Sequence, residues 1–216
     1  MPEFVSFEEG AAFPIQVLTA YHMLHTAHGT TAGQWVLVHS AAGGVGLAAV
    51  QIAKAAGARV IGTVSTEGKE RLAREFGADE VINYAAQDFA EETLRLTGGR
   101  GVDVILDAVG KPTLDGGLRC LAPFGHLILY GRAGGLAEPL NLYRLFEKSQ
   151  KVSGFVLYTL SAMPARMREG IENSFALMRA GKLRLLIGRT FPLEQAAEAH
   201  RFIESRESTG KLLLIP

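Results

Sequence analysis

The sequence predicts an α/β fold: a doubly wound parallel sheet of about six strands, with a C-terminal helix and strand appendage. Three observations predict it. Strand-like and helix-like blocks alternate between residues 35 and 180. The strand blocks are near-continuous apolar runs, as expected of parallel strands buried on both faces. A glycine-rich turn joins the first strand to the first helix of the alternation. Right-handed crossovers then wind the chain on both sides of one sheet.

The elements follow in order. Trp35–Ser40 (WVLVHS) is a β-rich apolar run and predicts the first strand. The turn Ala41–Gly46 (AAGGVG) and a helix over Leu47–Ala56 come next. Arg59–Ser65 predicts a second strand, and Lys69–Phe76 a helix closed by Gly77. Glu80–Tyr84 is a short third strand, and Asp88–Thr97 a helix that stops at Gly98 and Gly99. Val102–Ala108 is the fourth strand, Thr113–Leu121 a helix and His126–Gly131 the fifth strand. Leu140–Lys148 reads as a short helix, Val152–Tyr158 as the sixth strand and Met163–Ala180 as a longer helix. Residues 1–30 predict a helix from about Phe7 to His25, interrupted near Pro14. The tail, residues 183–216, contains an apolar strand-like run Leu183–Gly188, a helix Leu193–Glu204 and a final strand Lys211–Ile215. The division is therefore 1–30, 31–182 and 183–216, with the sheet in the middle part. The two tail strands do not fit the parallel sheet. We expect them to pair with each other or with another subunit, since bare apolar strands invite pairing.

Composition narrows the function. Of 216 residues, 48% are hydrophobic and 20% charged, as in a folded globular chain. Lys plus Arg and Asp plus Glu are 22 each, so a neutral chain gives no support for a nucleic-acid or membrane-surface partner. Cys120 is the only cysteine, which rules out an internal disulfide and a cysteine-based zinc cluster. Its apolar surroundings read as those of a small buried hydrophobe. The six histidines show no metal-ligand spacing with a cysteine, and no G-x-S-x-G elbow is present. No long apolar run and no signal peptide appear, so the cytoplasm is expected.

The strongest chemical signal is Val36 to Gly62, in the order strand, glycine-rich turn, helix, strand. This is the order of a Rossmann dinucleotide-binding unit. Gly43 and Gly44 let the backbone approach a pyrophosphate, and Gly46 lets the helix pack on the sheet. The helix begins near Val45, where free N–H groups and the dipole favour an anion. Ala41 stands where the usual motif has its first glycine. The same turn would also suit a sheet that binds nothing, or another nucleotide-like ligand. An NAD site places an acid at the tip of the second strand, about 20 residues on. Here that strand ends at Ser65 and Thr66, with Lys69 four residues beyond Ser65. A 2′-phosphate is repelled by an acid and drawn to Lys69, which favours NADPH. Glu67 suits the start of the next helix, and Lys69 also suits a solvated surface.

Together these stretches resemble the zinc-independent quinone oxidoreductases (zeta-crystallin-like) of the medium-chain dehydrogenase/reductase superfamily. The matching segments are LTAYHML at 18–24, HSAAGGVGLAAVQIAKAAGA at 39–58, GTVSTEGK at 62–69, FGADEVINY at 76–84, TGGRGVDVILDAVG at 97–110 and AHRFIESRESTGKLLLIP at 199–216. The resemblance covers almost the whole chain. It implies that Gly43, Gly44, Val45 and Gly46 hold the pyrophosphate, and that Ser65, Lys69, Tyr84 and Arg206 surround the 2′-phosphate. It places Asp107, Ala108 and Gly110 beside adenine and ribose, with Thr19, Gly131, Gly154, Phe155 and Val156 along the nicotinamide half. Tyr84 also reads as a rim aromatic, Asp107 as a cap and Arg206 as a surface charge.

The resemblance further implies hydride delivery from NADPH to a small electron-poor acceptor, a quinone or enone, and a homodimer through the sixth strand. Relatives carry a GroES-like barrel ahead of these residues, which supplies much of the substrate pocket. The tail strands would return to it. No residue of this chain presents itself as independently catalytic. Two other readings stand beside this one: an enoyl-reductase module of a polyketide or fatty-acid synthase, and a non-catalytic NADPH-binding module. A Rossmann-like methyltransferase fits less well, because Lys69 stands where an acidic ribose ligand is usual.

Overall fold

A computed structural model describes all residues 1–216. Strands β1 (Trp35–His39), β2 (Arg59–Val64), β3 (Glu80–Asn83), β4 (Val102–Asp107), β5 (Leu121–Leu129) and β6 (Lys151–Gly154) form one sheet in the order β3-β2-β1-β4-β5-β6. Every pairing in it is parallel. The order reverses between β1 and β4, the switch point outside whose strand ends an open α/β sheet binds ligands.

Two apolar layers fix the sheet between its helices. One face carries Val36, Val38, Val60 and Val104, packed with α1 (Phe7–His22) and α2 (Gly44–Ala55). The other carries Leu37, Ile61, Ile82 and Ile105. These lie against Ala90 of α4 (Phe89–Leu96) and Leu114 and Leu118 of α5 (Leu114–Cys120). Residues 36, 37 and 38 of β1 thus alternate between layers, as strand geometry requires. Helix α3 (Glu67–Glu75) begins at the N-cap Thr66, so Glu67 does open a helix. Helix α6 (Pro164–Arg179) packs on α1, where Phe13 and Phe175 stack with centroids 4.4 Å apart.

The expected break at Pro14 does not occur. Helix α1 runs through it and passes directly into a π-helical turn, Met23–His28. Pro14 lies on the exposed side, while Phe13, Val17, Leu18 and Tyr21 are buried. Packing of that face holds the helix across the missing donor. Helix α2 starts at Gly44 rather than Leu47, so the glycine-rich turn supplies its first turn. Strand β5 begins at Leu121, with a register irregularity against β4. The short helix expected at 140–148 is a 3₁₀ turn, Leu142–Leu145. Strand β6 stops at Gly154 instead of Tyr158. Its partner β5 ends at Leu129, whose carbonyl accepts from Phe155 N at 2.8 Å, and no partner lies beyond.

In the tail, β7 (Ile187–Pro192) begins four residues later than the expected run Leu183–Gly188 and overlaps only its end. Residues just before it are held otherwise. Leu183 is buried among the α1 and α2 side chains. The Gln51 side chain brackets Arg184, accepting from its N–H at 2.9 Å and donating to its carbonyl at 3.0 Å. After α7 (Ala196–Glu204), β8 (Lys211–Ile215) pairs with β7 in parallel, as a separate two-stranded sheet. The expected pairing of the two tail strands with each other is therefore observed.

Candidate functional site

A cleft of about 830 Å³ opens over the C-terminal ends of β1, β2 and β3. Its first wall is the turn between β1 and α2. Ser40 adopts a left-handed backbone (φ 56°), and its carbonyl accepts from Gly43 N at 2.9 Å, which closes the turn without the usual first glycine. Gly43 is the N-cap of α2 and has no side chain to satisfy the helix. The N–H groups of the first turn, at Gly44, Val45 and Gly46, therefore face outward uncapped, as an anion site needs. Gly46 is required for packing: a Cβ there would stand 2.8 Å from Ala41 Cα and 2.9 Å from its carbonyl carbon. Gly44 is required differently, since a Cβ would overlap the terminal amide of Gln16 on α1.

The second wall is the tip of β2 with the tail. Ser65 and Lys69 line the cleft together with Arg206 and Ser208. The Lys69 ammonium donates to the Arg206 carbonyl. Burial pushes the Lys69 pKa down, and Glu207 partly offsets this. Arg206 also has a left-handed backbone (φ 62°) and is exposed. The tail reaches the turn itself, where Gly210 N donates to the Ala42 carbonyl at 3.0 Å. Tyr84, half exposed, borders the cleft beyond the end of β3.

The far end is formed by Phe89, Val109 and Pro112, rimmed by charge. Asp88 and Asp115 stand there, but Arg119 pairs with both, at 3.0 and 3.9 Å. No carboxylate faces the β2 tip from residues 63–65.

Of the residues expected at a cofactor, Gly43, Ser65, Lys69, Tyr84 and Arg206 come together in this one cleft. Gly44, Val45 and Gly46 adjoin it as the first turn of α2. The rest do not line it. Asp107 is fully buried, and its carboxylate is consumed locally. It accepts from Val109 N (2.7 Å), Gly110 N (3.1 Å) and Thr113 Oγ1 (2.8 Å), so its side chain caps the turn after β4. Ala108, Gly110 and Gly131 bring the loops after β4 and β5 together. The Ala108 carbonyl accepts from Ala133 N at 3.0 Å, and a Cβ on Gly131 would meet that carbonyl at 2.6 Å. Gly110 has φ 89° and abuts the Gly135 carbonyl. Thr19 is buried in α1. Gly154, Phe155 and Val156 lie at and just beyond the end of β6, outside the cleft, with Val156 exposed.

Sequence reasoning missed His39, Phe89, Arg119 and Gln16. His39 is 1% exposed. Its Nδ1 meets Thr63 Oγ1 at 2.9 Å, the Phe89 ring lies edge-on at 4.8 Å, and Nε2 has no partner. Burial lowers its pKa, which keeps the ring neutral. Period-two parity with Leu37 was the available signal, since it puts residue 39 on the α4/α5 face of β1. Nothing in the sequence alone pairs Gln16 with Gly44.

No group of three or more His, Cys, Asp or Glu side chains is placed to hold a metal. Burial pushes the Cys120 thiol up to about 12, which disfavours the thiolate a metal would need. No helix is long and apolar enough to cross a membrane.

Known proteins match this arrangement. The model of a family described as zinc-binding dehydrogenase matches residues 44–174. A 2-haloacrylate reductase from a Burkholderia species is 40% identical over 212 residues, covering 95% of this chain and 62% of that protein. A quinone oxidoreductase of Pseudomonas aeruginosa is 38% identical over 217 residues, covering all of this chain and 67% of that protein. The crystal structure of Escherichia coli quinone oxidoreductase complexed with NADPH has a TM-score of 0.95 at 36% identity, over all of this chain and 67% of that one. The chain thus spans about two thirds of the length of the proteins it resembles, and slightly less of the haloacrylate reductase.

Proposed function

The chain belongs to the zinc-binding dehydrogenase family, in its quinone oxidoreductase branch, and from that premise we propose that it binds NADPH and serves hydride transfer to an electron-poor acceptor such as a quinone or an enone. One observation carries the reading: the uncapped first turn of α2 and the cationic side chains Lys69 and Arg206 border a single cleft. The residues fit the dinucleotide. Gly43, the N-cap of α2, brings no side chain over the first turn, and the buried His39 Nε2 is without a protein partner on the cleft wall.

When bound, NADPH supplies the hydride. The chain's own part is to bind and orient. The N–H groups of Gly44, Val45 and Gly46 hold the pyrophosphate, while Ser65, Lys69 and Arg206 hold the 2′-phosphate with Tyr84 beside it. The backbone at Thr19, Gly131, Gly154, Phe155 and Val156, outside the cleft described above, would run along the nicotinamide half in this reading. Asp107, Ala108 and Gly110 shape the wall beside adenine through the turn they brace. Our reading assigns no role to zinc, and no group of three or more His, Cys, Asp or Glu side chains in this chain is placed to hold a metal. The acceptor we favour is an activated carbon–carbon double bond or a quinone, in keeping with the names of the two relatives. We place the protein in the cytoplasm, as a homodimer formed through the exposed edge of β6.

Calorimetric titration with NADPH and with NADH tests this. NADPH is expected to bind at least tenfold more tightly, about 1.4 kcal/mol, and Lys69→Ala to remove most of that margin. Equal affinity for both cofactors would sink the 2′-phosphate assignment, and binding of neither would sink the cofactor reading.

A further inference from the structure

We propose that Gln16 is a positioning residue for the cofactor's pyrophosphate, closing the anion site from the side of α1. The inference rests on the NADPH reading above and adds a residue to it. Three observations lead there. Gln16 projects from α1 onto the first turn of α2, so closely that a Cβ on Gly44 would overlap its amide nitrogen, carbon and oxygen. That turn is the uncapped end of a 12-residue helix, and the amide does not cap it. The amide rests over the Gly44 Cα with no side-chain cap bond to the helix it touches.

A half-buried amide with two N–H donors, beside the first residue of a helix whose leading N–H groups are uncapped, can add its donors to theirs around an anion. Its oxygen would suit those N–H groups in the free protein, yet it accepts from none of them. Gln16 is also one helical turn from Thr19, on the same side of α1. It therefore stands between the pyrophosphate turn and the segment assigned to the nicotinamide half. Its partner is the phosphate group carried at the 5′ position of the adenosine, not the 2′-phosphate, which belongs to the Lys69 and Arg206 wall.

Three substitutions and three probes test this by calorimetry. The probes are NADPH, 2′-phospho-ADP-ribose, which keeps the pyrophosphate, and adenosine 2′-monophosphate, which lacks it. Gln16→Glu places a carboxylate where the phosphate would sit. It is expected to weaken the first two ligands at least tenfold and leave the third unchanged. The free Gln16→Glu protein is expected to melt no lower than the wild type, because an acid suits a helix N-terminus. Gln16→Ala should give a smaller loss with the same ligand pattern, and Gln16→Lys should restore binding with a steeper salt dependence. Equal affinities across all variants would show that the amide merely packs, and an equal loss on all three probes would show a general effect; either overturns the proposal. A wild-type protein that binds adenosine 2′-monophosphate as tightly as NADPH overturns it while sparing the 2′-phosphate site. A wild type that binds none of the three removes the cofactor reading and this proposal together.

Discussion

Asp107 shows how a side chain at the right strand end can be occupied elsewhere. The sequence puts an acid at the tip of β4, where the family resemblance places it beside the ribose. The fold spends both oxygens on Val109 N, Gly110 N and Thr113 Oγ1. Local Asx-type bonding of this kind is governed by loop geometry that residue spacing does not encode. Ser65 and Lys69 were legible because they follow β2 at fixed offsets, and Gly43 to Gly46 because glycine at a strand-to-helix turn has few other uses. Gln16 and His39 were not, since each acquires its role only through contact with a distant segment. Titration at single residues also has a readable consequence. Burial pushes His126 down to about 4 from its ordinary 6.5, and His22, His25, His28 and His39 are lowered for the same reason. The unfolded chain then takes up protons first. Stability is whole above pH 6.5 and is lost as pH falls towards 4, at about 1.4 kcal/mol per unit of depression for one group. Chemical denaturation between pH 7 and 4.5 should show a steep decline, and His126→Gln, which retains a partner for Ser153 Oγ, should flatten it. A decline of unchanged slope in that variant would remove His126 as a cause.

At the scale of elements, boundaries moved where one element borrowed residues from a turn. Helix α2 took in Gly44 to Gly46, which is how the turn comes to present its amides. Strand β7 shifted downstream because Gln51 satisfies Arg184 in place of a strand neighbour. Helix α1 survived Pro14 through tertiary packing, which propensity alone undervalues. Helix α4 offers a measurable case. Its N-cap Asp88 accepts from Ala90 N at 2.7 Å and Glu91 N at 3.1 Å, and its other oxygen pairs with Arg119 of α5. Asp88→Ala should cost roughly 1 kcal/mol of stability. Asp88→Asn should recover most of it, because an amide oxygen caps nearly as well while the exposed ion pair contributes little. Urea denaturation of the three proteins separates the two contributions. If Asp88→Asn falls as far as Asp88→Ala, the ion pair and not the cap holds α4 to α5.

For the whole molecule, the parallel sheet of about six strands and its two-sided packing were readable from alternation of apolar blocks, because a parallel sheet leaves so few topologies. The placement of the tail was not, since residues 206–210 meet the turn at 40–43 across most of the chain length. The proposed dimer belongs to this scale too. Strand β6 pairs with β5 on one side only and presents its other edge outward. Phe155 N points inward to Leu129, so by alternation Gly154 N points away. Gly154→Pro removes that donor, and a Cβ there would meet nothing within 4 Å. Sedimentation equilibrium should find a dimer for the wild type and a weaker one for Gly154→Pro. A wild-type monomer at tens of micromolar would dismiss this edge as the interface.

The bond from Gly210 to Ala42 also bears on the order in which the protein is made. A nascent chain folds from its N-terminal part while synthesis continues, and all six strands of the main sheet are translated by residue 154. The cleft then still lacks the wall carrying Arg206 and Ser208, along with the backbone clasp at Gly210. Full affinity for the dinucleotide should therefore arise only once residues 206–210 have been made, so that ribosome-stalled chains ending near residue 190 would display a formed sheet yet hold the ligand far more weakly.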